Sequence, residues 1–139
     1  MKKYLAEMIG TMVLVFIGCG SAIFNGGCGT PAQVLMVAIA FGVSVVAMAY
    51  TIGGISGCHI NPAITLGVYL SKRMSGKDAA MYMIFQVIGA IIGSTLLFGI
   101  TSGMDTEGWA TTTGANACSS GVSQLTGFIA ETLFTAIFV

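Results

Sequence analysis

Charged side chains are scarce in this sequence. Lys, Arg, Asp and Glu make up 7% of its 139 residues, their formal charges sum to zero, and none occurs between Met8 and Ser71. Soluble proteins carry roughly 25% charged residues, and nucleic-acid-binding surfaces need a basic patch, so neither class fits. With 55% hydrophobic residues and a mean hydropathy of +0.94, the composition predicts a membrane protein that contacts lipid and no nucleic acid.

Residues for metal, redox or catalytic chemistry are also few. The sequence has one histidine, and its four cysteines show no C-x-x-C spacing. No nucleophile with an adjacent base and no set of metal ligands can be recognised. We therefore expect no catalytic residues, no metal, no cofactor and no enzymatic activity.

Four apolar stretches approach the roughly 20 residues needed to cross a bilayer. They cover residues 4–24, 33–52, 79–101 and 124–139. The first follows Met1-Lys2-Lys3 and could be a signal peptide, but it exceeds the roughly 7–15 apolar residues typical of one. We expect it to be retained as the first transmembrane span.

The cations lie in two places and predict the topology. They are Lys2, Lys3, Lys72, Arg73 and Lys77. The positive-inside tendency places both groups in the cytoplasm, so we expect a cytoplasmic N-terminus. We further expect a multi-pass protein of the cell inner (plasma) membrane. The apolar segment 54–71 then begins and ends on the cytoplasmic side.

That segment is too short to cross the membrane and return, because 18 helical residues reach only about 27 Å. We predict a re-entrant loop over about 54–71, with a non-helical limb at Gly53–Gly57 and a half-helix from Pro62 to about Leu70. Asn61 is a good helix cap and Pro62 fits the first helical position. A helix lying on the membrane surface is the alternative, although residues 60–70 have no basic face.

The chemistry of such a loop favours neutral solutes. A helix N-terminus carries roughly half a positive charge, which disfavours cations. The amide nitrogen of Asn61 can donate hydrogen bonds, while the carbonyls of residues 57–60 can accept them. Acceptors that lead to a donor suit water or a small polyol.

A partial repeat suggests a second, inverted unit. The Ala-Glu pair at residues 6–7 recurs at residues 130–131, each within a span. Because the first unit holds three spans, a second copy runs in the opposite orientation, as in many transporters. The sequence then ends one helix into that copy.

The segment Ile55–Thr65 resembles the first Asn-Pro-Ala loop of the major intrinsic protein family, the aquaporins and glycerol facilitators. Residues 6–11 resemble the family's first helix, and Gln86, Gly89 and Gly93 resemble its third. The overall resemblance is greatest to bacterial water-selective members. It implies an all-α membrane protein with an aquaporin-like helical bundle: a first inverted repeat of three transmembrane helices plus a re-entrant half-helix, and the start of a fourth transmembrane helix. Residues 1–139 then form a single, incomplete channel domain.

The resemblance also implies a pore. Its motif residues are Asn61, Pro62 and Ala63, and its carbonyl ladder comes from Gly57, Cys58, His59 and Ile60. Phe41 matches the selectivity constriction, where water-selective members carry Phe and glycerol facilitators usually carry Trp. Water is therefore the favoured solute, with glycerol as the alternative.

Four residues are implied to support the loop: Glu7, Glu131, His59 and Gln86. We expect His59 to pack against Glu131. Acids inside a membrane also raise the hypothesis of proton transport. A proton-coupled carrier or enzyme that uses His59 and Glu131 is therefore a further alternative.

The family's pore needs two such loops, and this sequence contains one. We expect no channel activity from the chain alone, and a homotetramer once a second repeat is present. A half-size protein that acts only when paired with a second half stays open, and the sequence does not predict gating. A disulfide between Cys28 and Cys118, both on the outer side, is a further open possibility.

Overall fold

Five helices make up the fold in a computed structural model that describes residues 1–106, 113–118 and 120–139. They are α1 Lys2–Phe24, α2 Pro31–Ser56, α3 Pro62–Leu70, α4 Gly76–Thr101 and α5 Gln124–Phe138. The described ranges contain no strand. The predicted all-α architecture is confirmed.

The long helices correspond to three of the predicted spans. Helices α1, α2 and α4 have 23, 26 and 26 residues and are long and apolar enough to cross a membrane. Helix α5 has 15 residues, or about 22 Å at the helical rise. The short α3 lies between α2 and α4, where the half-helix was predicted.

The prediction of a non-helical limb at Gly53–Gly57 was wrong for its first four residues. Helix α2 continues to Ser56, and Gly57 ends it in the left-handed conformation with φ 90°. A helix keeps backbone donors satisfied where water is absent, which outweighs the low helix propensity of glycine. Gly57 N–H accordingly donates to Gly53 O at 3.0 Å. The non-helical segment is therefore only residues 57–61.

The starts of four helices are capped by side chains. Thr30, Asn61, Ser75 and Ser123 each accept a hydrogen bond from a backbone N–H in the first turn of the helix that follows. Pro31 and Pro62 occupy the first helical positions of α2 and α3. Both prolines of the sequence are thus at positions where a missing N–H costs nothing.

Helices α1 and α4 form the most extensive contact of the fold. Glycines on α4 make this close approach possible. A Cβ added to Gly93 would lie 2.7 Å from Met12 O, and one added to Gly89 would overlap Met8 O. Small residues at a helix–helix contact are the usual means of close packing in membranes.

Replacing Gly89 by alanine is expected to destabilise the fold by about 3 kcal/mol, because the new methyl group meets backbone that moves only if the helices separate. Gly99→Ala in the same helix is the matched control. No atom lies within 4 Å of its added Cβ, so we expect a neutral or slightly stabilising effect, by up to about 1 kcal/mol. Unfolding followed by helical circular dichroism in detergent compares the two. Equal stability of both variants would contradict this account of the contact.

Candidate pore loop

The loop over residues 57–61 is held by one buried carboxylate. Glu7 of α1 is 0% exposed. Its Oε1 accepts from Ser56 Oγ at 2.6 Å and from His59 N–H at 3.0 Å, and its Oε2 accepts from Ile60 N–H at 2.6 Å and Gln86 Nε2 at 2.8 Å. Four donors match the four acceptor sites of a carboxylate. A buried charge is tolerable when it is compensated this fully.

These bonds also fix the direction of the loop carbonyls. In a trans peptide unit the N–H of one residue points opposite to the C=O of the residue before it. Since the N–H groups of His59 and Ile60 point at Glu7, the carbonyls of Cys58 and His59 point away from it. Cys58 N–H donates to Ser56 Oγ at 3.2 Å, which orients the carbonyl of Gly57 likewise. Three of the four predicted ladder carbonyls therefore face away from α1.

Those carbonyls are free to act as acceptors. Among the described residues, no backbone or side-chain group donates a hydrogen bond to the carbonyl oxygen of any residue from 57 to 60. Buried carbonyls are almost always paired in proteins. A row of unpaired ones therefore indicates a surface that contacts water or another polar molecule.

The backbone of this loop is strained at two residues. Cys58 and Ile60 have φ values of 52° and 43°, in the left-handed region. This conformation costs roughly 1–2 kcal/mol for an ordinary residue, and it is a clear outlier for a β-branched one such as Ile60. Such strain persists only where the surroundings over-determine it. The bonds from the loop N–H groups to Glu7 provide that constraint.

The half-helix α3 begins at the end of this loop. Asn61 Oδ1 accepts from Ala63 N–H at 2.7 Å, so the side chain caps the helix through its oxygen. Within the described residues the amide nitrogen of Asn61 makes no hydrogen bond, which leaves two N–H donors at the positive end of α3. The predicted motif residues Asn61, Pro62 and Ala63 thus lie together at the cap and first turn of this helix.

A second layer of hydrogen bonds ties α3 to α4. Gln86 Nε2 donates to Glu7 and also to Thr65 Oγ1, the latter at 3.0 Å. Thr65 Oγ1 lies 3.2 Å from Asn61 O and 3.1 Å from His59 Nδ1. Gln86, Thr65 and Glu7 are all fully buried. The layer joins the first helix, the loop and the half-helix into one polar network.

The network includes residues that sequence analysis missed. Ser56, Thr65 and Tyr82 were not among the predicted site residues, yet Tyr82 OH donates to Ser56 O at 2.8 Å and its ring packs edge-on to His59 at 5.1 Å. One signal was available for Tyr82, which lies one helical turn from Gln86 and so shares its face. Polar side chains inside apolar helices are a second such signal.

The predicted contact between His59 and Glu131 is not formed in the described part of the chain. The imidazole instead lies against Thr65 and Tyr82. Glu131 is exposed on α5. It lines a cavity of about 630 Å³ that also contacts Ala63 and Gly67 of α3.

Phe41, the predicted constriction residue, lies apart from this loop network. Its ring packs against Gly18 of α1, where an added Cβ would overlap it. Phe41 also lines a cavity of about 720 Å³, together with Glu131 and three of the cysteines: Cys19, Cys28 and Cys118. All four cysteines are free thiols, so the Cys28–Cys118 disulfide is not formed in this structure.

The fold has the features of a helical membrane protein: helices of membrane-spanning length, a capped half-helix and a row of carbonyls that face away from α1. A family model described as "MIP: Major intrinsic protein" matches residues 1–139. The chain belongs to the major intrinsic protein family.

Individual relatives agree with this assignment. The chain is 46% identical to Aquaporin Z of Rhodopseudomonas palustris, covering 99% of the chain and 60% of that relative. It is 40% identical to the Lactiplantibacillus plantarum protein named "Glycerol uptake facilitator protein-like 6", over 75% of the chain and 46% of that relative. The chain therefore spans about 60% or less of the length of these proteins.

A solved structure agrees at the level of the fold. The aquaglyceroporin of Plasmodium falciparum superimposes with a TM-score of 0.84, covering 98% of this chain and 57% of that one, at 22% sequence identity. At this identity the likeness shows a shared fold and leaves solute specificity open.

Proposed function

We propose that this chain forms part of a passive transmembrane channel for water, in which the loop over residues 57–61 is one wall of the pore. The observation that carries the proposal is the free carbonyl row that leads to the amide nitrogen of Asn61. A neutral molecule with two lone pairs and two protons can exchange hydrogen bonds along this row. The positive end of α3 disfavours cations at the same place.

Water is the proposed solute over glycerol because of Phe41. The family's water-selective members resemble this chain in carrying Phe at the constriction, whereas glycerol facilitators usually carry Trp there. The alternative is a glycerol facilitator, since one of the relatives has that name. Both solutes are neutral, so the loop chemistry suits either.

The supporting roles proposed for Glu7 and Gln86 rest on their burial and on the bonds already described. Proton transport is the weaker hypothesis, because every acceptor site of Glu7 is engaged in holding the loop. For Glu131 the proposed role is to support a second loop, which lies outside residues 1–139. The exposed apolar wall of the 630 Å³ cavity between α3 and α5 agrees with this role.

Topology and assembly are proposed on the same basis. All five cations of the chain lie near the N-terminus of α1 or between α3 and the first turn of α4. The positive-inside tendency therefore places the N-terminus in the cytoplasm of a multi-pass inner-membrane protein. A homotetramer is proposed from family membership alone.

Vesicle shrinkage measured by stopped-flow light scattering tests the function. We expect the chain alone to give water permeability at the lipid background. A chimera that joins it to the part of the R. palustris relative beyond the match is expected to raise water permeability at least tenfold, with little glycerol flux. Glycerol flux above background without fast water flux would favour the facilitator alternative. Fast water flux through the chain alone would contradict the need for a second loop.

A further inference from the structure

A polar cavity of about 250 Å³ opens at the end of the fold that carries the cations. Each of the helices α1 to α4 contributes side chains to its wall. The residues with chemical relevance are Lys3, His59, Arg73, Asp78 and Tyr82. The pore loop borders this cavity through His59.

One of the two cations that line the cavity has no acid at contact distance in the described part of the chain. Among the residues that the structure describes, Asp78 is the only acid that lines it, and both of its oxygens are engaged: Oδ2 with Lys3 Nζ at 2.8 Å and Oδ1 with Tyr4 OH at 2.6 Å. Arg73 Nε donates to Ser71 Oγ at 2.9 Å. Within the described residues no carboxylate lies within ion-pair distance of the Arg73 guanidinium. Arg73 is therefore the lining cation without a contacting acid, although the buried Glu7 carboxylate lies behind the wall, bonded to Ser56 Oγ and His59 N–H.

The Arg73 guanidinium matches an oxyanion. A guanidinium presents paired N–H donors that fit phosphate or carboxylate in a bidentate manner. Lys3 retains further donors beside it, because an ammonium group has three. At roughly 30 Å³ per water, the cavity has room for about eight waters. That space accepts a phosphate group and is too small for a nucleotide.

We propose that this cavity is a binding site for a phosphate-type oxyanion, with Arg73 as the bidentate ligand and Lys3 as the second cation. The phosphate has two possible sources, free inorganic phosphate and the headgroup of an anionic lipid. Binding at this position can be measured without any flux through the proposed water path. Its test therefore does not depend on channel activity.

Calorimetric titration of the purified chain with inorganic phosphate tests the proposal, in a maltoside detergent that contains no phosphate and at low salt. We expect saturable binding that weakens at least tenfold in Arg73→Gln. Lys77→Gln is the matched control: it removes one exposed cation from the first turn of α4 that does not line the cavity. We expect it to weaken binding less than twofold. Circular dichroism checks that both variants keep the parent's helix content.

Removal of a negative charge from the cavity wall is a further test. Asp78→Asn removes the acid from the cavity wall and is expected to strengthen phosphate binding severalfold.

A second arm adds phosphatidylglycerol to the micelles and counts bound lipid by native mass spectrometry. Lipid binding that depends on Arg73, without binding of free phosphate, supports the site and identifies the headgroup as its source. Equal loss in Arg73→Gln and Lys77→Gln, or no saturable binding in either arm, would overturn the proposal.

Discussion

Glu7→Gln is expected to destabilise the fold by about 3–5 kcal/mol and to release the pore loop. The carboxylate accepts four hydrogen bonds, whereas a glutamine oxygen accepts two and its NH₂ group faces two donors. Two of the groups at Ser56, His59, Ile60 and Gln86 are then left unpaired in a buried site. Each such loss costs roughly 1–3 kcal/mol, and more where the lost partner is charged.

The loop itself provides a local measurement of this effect. Cys58 is half-buried and held in a left-handed conformation by its neighbours' bonds to Glu7. When those bonds are lost, we expect maleimide labelling of Cys58 to accelerate at least tenfold, as resolved from the other cysteines by mass spectrometry. Water permeability of the chimera is expected to fall to the lipid background.

Glu131→Gln is the matched control for the same chemical change at an exposed acid on α5. In the chain alone we expect it to alter stability by less than about 0.5 kcal/mol and to leave Cys58 labelling unchanged. If Glu7→Gln behaved like Glu131→Gln, the carboxylate would not be what holds the loop. The strain at Cys58 and Ile60 would then need another cause.

The half-helix was the most predictable part of the site. Asn-Pro sets a helix start from local chemistry alone, because the cap and the missing proline donor are properties of those two residues. The charges around it then imply that the segment returns to the same side. The observed α3, Pro62–Leu70, has the predicted start and end.

The loop before α3 was less predictable, because its shape depends on a distant residue. Glu7 lies 52 and 53 positions before the amides that it binds at His59 and Ile60. No local rule places a β-branched residue at a positive φ, and local rules also favour ending α2 at its glycines. Membrane solvation and the tertiary bonds of Glu7 override both preferences.

Thr65 illustrates a different limit of sequence analysis. Its hydroxyl has one proton and three neighbours able to accept it, Asn61 O, His59 Nδ1 and Gln86 Oε1. Which bond forms depends on the tautomer of His59, a property of the assembled network. Gln86 was identified only through family resemblance, since its bonds to Glu7 and Thr65 join elements far apart in the sequence.

Asn61→Asp is expected to turn a cation barrier into a cation path while leaving the helix start intact. Aspartate caps a helix as well as asparagine does, so α3 still begins at Pro62. The substitution replaces the free amide donor by a carboxylate. One full negative charge then outweighs the roughly half positive charge of the helix end, and the local potential changes sign.

In vesicles that hold the chimera under a potassium gradient at pH 9, where the carboxyl is ionised, a potential-sensitive dye should report at least a tenfold faster cation leak for Asn61→Asp than for the parent. Asn61→Ser is the matched control, because serine also caps the helix but adds no charge. We expect it to exclude cations as the parent does. Equally fast leaks in the two variants would mean that the amide donor, which both variants lack, excludes cations. A tight Asn61→Asp channel at pH 9 would mean that the barrier lies elsewhere, with Phe41 as the next residue to test. A leak confined to Asn61→Asp would identify the electrostatics of the half-helix end as the barrier.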